Sequence, residues 1–212
     1  MSAELILETT EPSILIIEER KHKDIVIGVP HHAPAGKTTR PCPNHRDSDE
    51  NAGFLGRYLA ERLDCCSVIA CNYPFDVNKA LCSDYAVQIA QWNPKVLIEI
   101  HGHGGGKAKF HIEISSGSAT NENYSKSLAD LLGVEFQKDT LLQKYKIGGE
   151  YSAIYFKASD SATITDSRWI SYHIELPSDF RKPQVGVTGK PPSLGYQFCT
   201  LLEVAISKLH RA

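Results

Sequence analysis

The feature that most constrains the fold of this chain is the alternation of short, β-branched apolar runs with longer amphipathic segments. The runs that predict strands are SILIIEE, DIVIGVP, SVIACN, KVLIEI, KFHIEIS, SAIYFKA and WISYHIELP. The segments that predict helices start near Asp49, Val77, Glu122 and Leu194. Strands and helices that alternate in this way form a doubly wound α/β sheet, so we predict a mixed sheet with helices on both faces.

The first part of the chain predicts that some strands are antiparallel. The first two runs are separated only by the charged stretch RKHK, which predicts a β-hairpin. A long loop rich in Pro, Gly and polar residues, HHAPAGKTTRPCPNHRDSD, follows the second run. Because the 212 residues are 42% hydrophobic and show no internal repeat, we expect residues 1–212 to form a single domain.

Composition and charge argue against several classes of partner. The formal net charge is −2, without the basic excess that nucleic-acid-binding proteins carry. The longest apolar runs, such as Ile14–Ile17 and Ile25–Val29, are too short to span a bilayer, and the acidic N-terminal stretch MSAELILETTEPS lacks a secretory pattern. We therefore expect a cytoplasmic protein with neither a nucleic-acid partner nor a membrane contact.

Ionisable side chains stand where three of the predicted strands end. DIVIGVP is followed by His31 and His32, VLIEI by His101, and YHIEL presents Glu175 just before Pro177. Ligands of doubly wound sheets bind beyond the carboxyl ends of the strands, so we expect these side chains to border one site.

Two imidazoles and one carboxylate are a common ligand set for a catalytic zinc ion (Zn2+), and they leave a fourth position for water. We predict that His101 and one of His31 and His32 are metal ligands, because the glycines after His101 leave room for a ligand. The predicted acidic ligand is one of Asp47, Asp49 and Glu50. The alternative is that these histidines are structural and that the acids are favoured only by the dipole of a helix starting there.

Glu175 is the predicted general base. A zinc ion lowers the pKa of its bound water, and a second carboxylate can take the proton. Because Ile174 and Leu176 flank it, we expect Glu175 to be half-buried rather than solvated at the strand end. Burial of a carboxylate is costly, so a half-buried Glu175 is expected to have a function. His173, two residues earlier, should lie on the same side of the strand.

A polar element follows the strand SVIAC. Asn78 and Lys79 predict a site for a substrate carboxylate, with the amide donating hydrogen bonds and the ammonium supplying charge. Arg46 and Arg40, in the preceding loop, are alternatives for this role or are solvated, and Asp76 is expected to be a turn or N-cap residue.

The glycine-rich loop Gly102–Lys107 allows two interpretations. Its His103 is expected to lie near the metal or the substrate without being a ligand. The string HGGG is also typical of lipase-like oxyanion loops, but the chain lacks the Gly-x-Ser-x-Gly elbow that those enzymes require.

In order and approximate spacing, these motifs resemble those of the N-formylglutamate amidohydrolase family, which shares its fold with zinc carboxypeptidases. The motifs are VPHHAPAG, RDSDENAG, DVNK, IEIHGHGG and HIELP, and they extend from about Ile25 to Pro177. The implied roles are zinc ligation by His31, by Asp49 or Glu50 and by His101, general base catalysis by Glu175, and binding of a substrate carboxylate by Asn78 and Lys79. The chain departs from the family in having Lys79 in place of an arginine. A lysine cannot make the two parallel hydrogen bonds by which a guanidinium binds a carboxylate.

The predicted function is zinc-dependent hydrolysis of an amide bond in a small carboxylate-bearing substrate, either an N-acyl amino acid or a peptide C-terminus. The alternative is a non-catalytic metal- or ligand-binding domain on the same fold, which the substituted Lys79 and the unusual glycine loop would permit.

Overall fold

The computed structural model describes residues 2–9, 13–183 and 189–210, and its centre is one mixed sheet. The strands are β1 (Ile14–Glu18), β2 (His22–Ala33), β3 (Asp49–Glu50), β4 (Cys65–Cys71), β5 (Val96–Gly102), β6 (Ile112–Ser115), β7 (Ile147–Gly148) and β8 (Ile170–Leu176). Their order across the sheet is β1-β4-β2-β5-β8-β6-β7, and the short β3 pairs with the end of β2. Strands β4, β2, β5 and β8 are parallel, whereas β1 and β6 are antiparallel to β4 and β8.

Helices cover both faces of the sheet, which confirms the predicted fold class. They are α1 (Ala3–Leu7), α2 (Ala52–Leu63), α3 (Asp84–Trp92), α4 (Glu122–Phe136), α5 (Ser178–Arg181) and α6 (Ser193–His210). Helices α2, α4 and α6 share the larger apolar core with one face, and α3 packs on the other face. No helix among the described residues combines the length and the apolar character that crossing a bilayer requires.

The predicted hairpin between the first two strands is wrong. Strand β4 lies between β1 and β2, and β1 pairs with β4 from Ile14↔Cys71 to Glu18↔Ser67. All 7 residues of β4 are buried, whereas in β1 only Ile16 is buried. The strand with two apolar faces therefore takes the interior position, and the half-exposed β1 takes the edge.

The predicted strand SAIYFKA is also wrong, because residues 152–158 form turns and irregular backbone. The backbone N–H groups of Tyr155 and Phe156 both donate at 2.8 Å to the buried carboxylate of Glu113 in β6. This side chain takes the place of a strand partner, and Ala158, with φ 52°, ends the segment outside the extended region.

Two helices begin later than predicted, and both differences border the site described below. Helix α3 begins at Asp84 rather than near Val77, because the Ser83 hydroxyl accepts the Ala86 N–H at 3.1 Å as an N-cap. Helix α2 begins at Ala52, because Asp49 and Glu50 pair with the end of β2 as β3. These two acidic residues are therefore positioned by the sheet and not by a helix start.

Candidate metal centre

The carboxyl ends of β2, β5 and β8 border a cavity of about 960 Å³. His31 lines it from the end of β2, Asp49 from β3, His101 from β5 and Glu175 from β8. The cavity lies where doubly wound sheets bind their ligands.

A register shift decides which of the two adjacent histidines faces this cavity. Along β2, Ile25, Ile27 and Val29 face the larger core, so strict alternation would place His31 on that face as well. The pairing of β2 with β4 shifts between Val29 and His32. As a result, His31 lines the cavity and His32 faces α2.

His32 has a structural role. Its Nδ1 accepts the Gly53 N–H at 3.0 Å, and its Nε2 donates to the Leu7 carbonyl at 3.0 Å. Burial lowers the pKa of His32 to about 4, and the hydrogen bond to Leu7 only partly opposes this shift. Neutral His32 has both nitrogens in use, so His31 is the histidine of this pair that is available to a ligand.

His31, Asp49 and His101 bring three potential ligand atoms together. Oδ2 of Asp49 lies 3.3 Å from Nδ1 of His31 and 3.3 Å from Nδ1 of His101. All three residues are buried. Within the described part of the chain, this Asp49 oxygen makes no hydrogen bond of normal geometry, which is rare for a buried carboxylate oxygen.

Two further carboxylates, which the sequence analysis did not assign to the site, orient the imidazoles. Nε2 of His31 donates to Oδ1 of Asp76 at 2.6 Å, and Nε2 of His101 donates to Oε2 of Glu99 at 3.1 Å. With a metal ion bound, protons on both Nε2 atoms would leave Nδ1 of each ring as the lone-pair donor on the side of Asp49. Imidazoles that bind metals are commonly held by a carboxylate in this way.

The surrounding carboxylates favour a cation at this position. Burial alone would lower the pKa of His101, but Asp49 and Glu99 outweigh burial and raise this pKa to about 10. Burial alone would raise the pKa of Asp49, but the imidazoles of His101 and His31 hold it well below its usual range. A positive charge shared among these groups is therefore strongly stabilised.

The three residues fit a zinc ion. Ligand atoms at about 2.0–2.1 Å from a tetrahedral zinc ion lie roughly 3.3 Å from one another. The two separations between Asp49 Oδ2 and the imidazole nitrogens, both 3.3 Å, match that spacing. Three protein ligands of the His and carboxylate type are also the number that catalytic zinc sites use. His31, Asp49 and His101 would therefore hold the ion.

Glu50, the alternative acidic ligand, has other partners on the cavity wall. Its Oε1 pairs with Nζ of Lys182 at 2.5 Å, and its Oε2 accepts the Gly36 N–H at 2.8 Å. Asp47 is exposed and bridges to Thr39 through the backbone. Among the acidic candidates, the structure thus brings Asp49 to the two histidines.

Glu175 lies beside the cluster, directly across from His101 in the pairing of β5 with β8. Its Oε1 accepts a hydrogen bond from Nε2 of His173 at 3.0 Å, whereas its buried Oε2 has no hydrogen-bond partner among the described residues. Burial alone would raise the pKa of Glu175, but His173 and His101 outweigh burial and lower it. Glu175 therefore has one oxygen held in place and one available to accept a proton.

Asn78 and Lys79 line the same cavity. Nδ2 of Asn78 donates to Glu99 at 3.3 Å, and its Oδ1 is buried without a hydrogen bond to any described residue. The Lys79 side chain is 50% exposed, and its Nζ lies 3.4 Å from Oδ2 of Asp76. Lys79 therefore presents a hydrated cation at the cavity mouth.

The two arginines that the sequence offers as alternatives lie elsewhere. Arg46 is exposed, and it is absent from the described residues that line the cavity. Arg40 is buried, and its Nε donates to the Asp47 carbonyl at 3.1 Å. The structure therefore does not bring Arg46 to the site as predicted, because its loop directs it to solvent.

His103 lines the cavity with both ring nitrogens in use. Its Nε2 donates to the His111 carbonyl at 2.9 Å, and its Nδ1 accepts the Gly105 N–H at 3.0 Å. The ring stacks on Phe156 with centroids 5.5 Å apart. His103 thus anchors the glycine loop and has no nitrogen free for a metal.

Comparison with known proteins finds similarity in structure. No protein-family model matches the chain, and no curated protein matches its sequence. A bacteriophage poly-gamma-glutamate hydrolase is similar with a TM-score of 0.58 and 10% identity, covering 93% of this chain and 90% of that one. N-formylglutamate amidohydrolase from Ralstonia eutropha is similar with a TM-score of 0.58 and 12% identity, covering 93% of this chain and 98% of that one.

The fold is shared with a third solved structure. An N-acetylmuramoyl-L-alanine amidase from Nostoc punctiforme is also similar, with a TM-score of 0.50 and 12% identity, and the match covers 90% of this chain and 99% of that one. At these identities the similarities show the fold alone. They confirm the fold that the sequence resemblance implied, and the roles of the site residues stay predictions.

Proposed function

We propose that this protein is a zinc-dependent hydrolase that cleaves an amide bond in a small substrate bearing a carboxylate. The observation that supports this proposal most strongly is the Oδ2 atom of Asp49, which is buried, lacks a hydrogen bond to the described residues and lies 3.3 Å from two imidazole nitrogens. Such an arrangement is costly without a cation at its centre.

When bound to His31, Asp49 and His101, zinc would polarise the scissile carbonyl and activate water. Glu175 takes the proton of the attacking water on its free Oε2 and delivers it to the nitrogen of the leaving amine. His173 holds the other oxygen of Glu175 during both transfers. The amide and one water are thereby converted into a carboxylate and an amine.

Lys79 and Asn78 are proposed to bind the carboxylate of the substrate. The ammonium of Lys79 attracts the anion at the cavity mouth. The Nδ2 group of Asn78, which gives one N–H to Glu99, donates its second N–H to the substrate carboxylate and orients it. An N-acyl amino acid or a peptide C-terminus carries the required group. Two proteins with this fold have names that specify glutamate derivatives, which also bear carboxylates. The proposed partner is therefore a small molecule or peptide, and neither nucleic acid nor a membrane.

A Glu175→Gln variant tests the proposal against a non-catalytic metal-binding role. We expect the variant to keep its zinc and to lose hydrolysis of N-acyl amino acids by at least about 10²-fold, because general acid–base catalysis contributes that much. The substrate panel contains acidic, neutral and basic side chains, each with and without chelator. If zinc-loaded wild-type protein hydrolyses no member of the panel, the amide hydrolase proposal is wrong and the binding role is favoured.

A further inference from the structure

Arg181, at the end of α5, is a buried cation whose observed partners are main-chain carbonyls. The residue is 2% exposed and lines the cavity. Its Nε donates to the Leu176 carbonyl at 3.1 Å, its Nη1 to the Glu50 carbonyl at 3.0 Å and its Nη2 to the His103 carbonyl at 3.3 Å. A buried charge held by neutral groups is costly, so its presence here calls for a function.

The three carbonyls belong to residues that closely follow site residues in the chain. Glu50 follows Asp49, Leu176 follows Glu175, and His103 comes two positions after His101. Strand β3 pairs with β2, whereas β5 and β8 pair with each other. One guanidinium therefore links β3, which bears Asp49, to β8, which bears Glu175, and to the backbone that directly follows β5, which bears His101.

Close packing fixes the position of this guanidinium. A Cβ atom at Gly102 would lie 2.0 Å from Cζ and 2.2 Å from Nε of Arg181, so only glycine fits at this position while the guanidinium keeps its place. At the other end of the residue, Nδ2 of Asn51 donates to the Arg181 carbonyl at 2.9 Å. Arg181 is thus held from both sides.

We propose that Arg181 is a positioning residue for the metal centre, an inference that rests on the proposed function. Its planar fork donates in three directions from one rigid group, which a lysine ammonium on a flexible stem does not reproduce. By holding the backbone beside Asp49, His101 and Glu175, Arg181 sets the distance between the carboxylate and the imidazoles that meet the ion.

Arg181→Lys and Gly102→Ala test this role by two routes. The proteins are stripped of metal, their zinc affinity is measured by competition with a chromogenic chelator, and the visible spectrum of the cobalt-substituted proteins reports ligand geometry. We expect both substitutions to weaken zinc binding by about 10-fold or more, as loss of groups that support metal ligands does. We also expect both to change the cobalt spectrum.

Two matched controls separate positioning from general stability. A Cβ atom at Gly104 meets nothing within 4 Å, so Gly104→Ala should keep wild-type zinc affinity. Arg20 also donates to a main-chain carbonyl, that of Cys65 at 3.2 Å, but at the opposite end of the sheet. Arg20→Lys should lower the unfolding midpoint of the metal-free protein and leave zinc affinity unchanged.

Wild-type zinc affinity and cobalt spectrum in Arg181→Lys would overturn the positioning role. An equal loss of zinc affinity in Arg20→Lys would overturn it too, because lower stability of the fold alone would then explain the loss. If Arg181→Lys does not fold, Gly102→Ala decides, and a zinc affinity equal to that of Gly104→Ala contradicts the proposal. Failure of the wild-type protein to bind zinc removes the proposed function together with this inference, whereas the other outcomes leave that function intact.

Discussion

His31 and His32 are neighbours in the chain with opposite surroundings. His31 lines the cavity and its Nε2 donates to Asp76, whereas both nitrogens of His32 bond to main-chain groups beside α2. The sequence predicts an imidazole ligand at the end of β2, because a strand end in such a sheet borders the ligand site. The strand pattern does not predict which histidine, and only the family resemblance implied His31, because the register shift after Val29 depends on pairing with β4.

Alanine substitutions at these two positions should have different consequences. His31→Ala should lose the bound metal, because it removes one of three ligand atoms. His32→Ala should keep the metal and lower the free energy of unfolding by about 1–3 kcal/mol, because it leaves the Leu7 carbonyl and the Gly53 N–H unsatisfied. Elemental analysis and urea denaturation measure the two effects. Metal loss in His32→Ala with full retention in His31→Ala would reverse the assignment.

The role of Glu99 at the site could be predicted from the sequence, whereas the role of Asp76 could not. Glu99 lies two residues before His101 in VLIEIH, so period-two alternation places both on one side of β5. A charged residue inside that apolar run indicates that Glu99 belongs to the same site as His101. Asp76 reaches His31 from a separate loop, across 45 positions in sequence, and local pattern carries no information about such a contact.

Removing the charge of either carboxylate should weaken metal binding without removing a ligand. Asp76→Asn and Glu99→Gln should each lower zinc affinity by about 10–100-fold, because a carboxylate that accepts the Nε2 proton strengthens the imidazole as a ligand. Competition with a chelator measures the change. Asp47→Asn is the matched control, since Asp47 lies on the cavity wall outside the His31–Asp49–His101 cluster. An affinity change in Asp47→Asn as large as in the other two would contradict this interpretation.

At the scale of elements, apolar pattern predicts most strands and helices but not their neighbours in space. β5 and β8 are found where the sequence places them, because their runs are long and buried on both faces. The prediction of a hairpin between β1 and β2 is wrong because closeness in sequence does not decide which strand lies at the sheet edge. The prediction of a strand at SAIYFKA is wrong because Glu113, distant in sequence, accepts the backbone N–H groups that a neighbouring strand would otherwise bind.

Substitution of two helical glycines by alanine should change the free energy of unfolding in opposite directions. In α4, a Cβ atom at Gly133 meets nothing within 4 Å, so Gly133→Ala should raise the free energy of unfolding by about 0.5–1 kcal/mol through reduced backbone entropy. In α6, a Cβ atom at Gly195 would lie 2.1 Å from the Phe180 carbonyl oxygen. Gly195→Ala should therefore lower the free energy of unfolding by about 1–3 kcal/mol.

Urea denaturation of the two variants beside wild type, with metal removed from all three, measures these differences. Destabilisation of equal size at both positions would contradict the packing of α6 against α5.

At the scale of the whole molecule, the metal should stabilise the fold because its ligands come from three separate strands. Zinc at about 100 times its dissociation constant stabilises by about 2.7 kcal/mol, which for a chain of this size raises the unfolding temperature by roughly 5–10 °C. Thermal denaturation before and after chelation, and again after zinc is restored, measures this shift. An unfolding temperature that is the same in all three states would contradict a resident ion.

The architecture as a whole could be predicted from the sequence, since alternating strands and helices admit few arrangements. The candidate site could be predicted only in part. Its residue types and its position at one sheet edge follow from strand ends, whereas the roles inferred for Asp76 and Arg181 depend on contacts between segments distant in sequence. His101 and Glu99 are the exception, because one strand carries both.

The most direct test of the account is the metal content of the purified protein beside His101→Ala and His103→Ala. The two histidines are two positions apart, but His101 offers Nδ1 to the cluster, whereas both nitrogens of His103 bond to main-chain groups. We expect one divalent ion per chain in the wild type and in His103→Ala, and none in His101→Ala. Equal metal content in all three proteins, or no metal in the wild type, would contradict it.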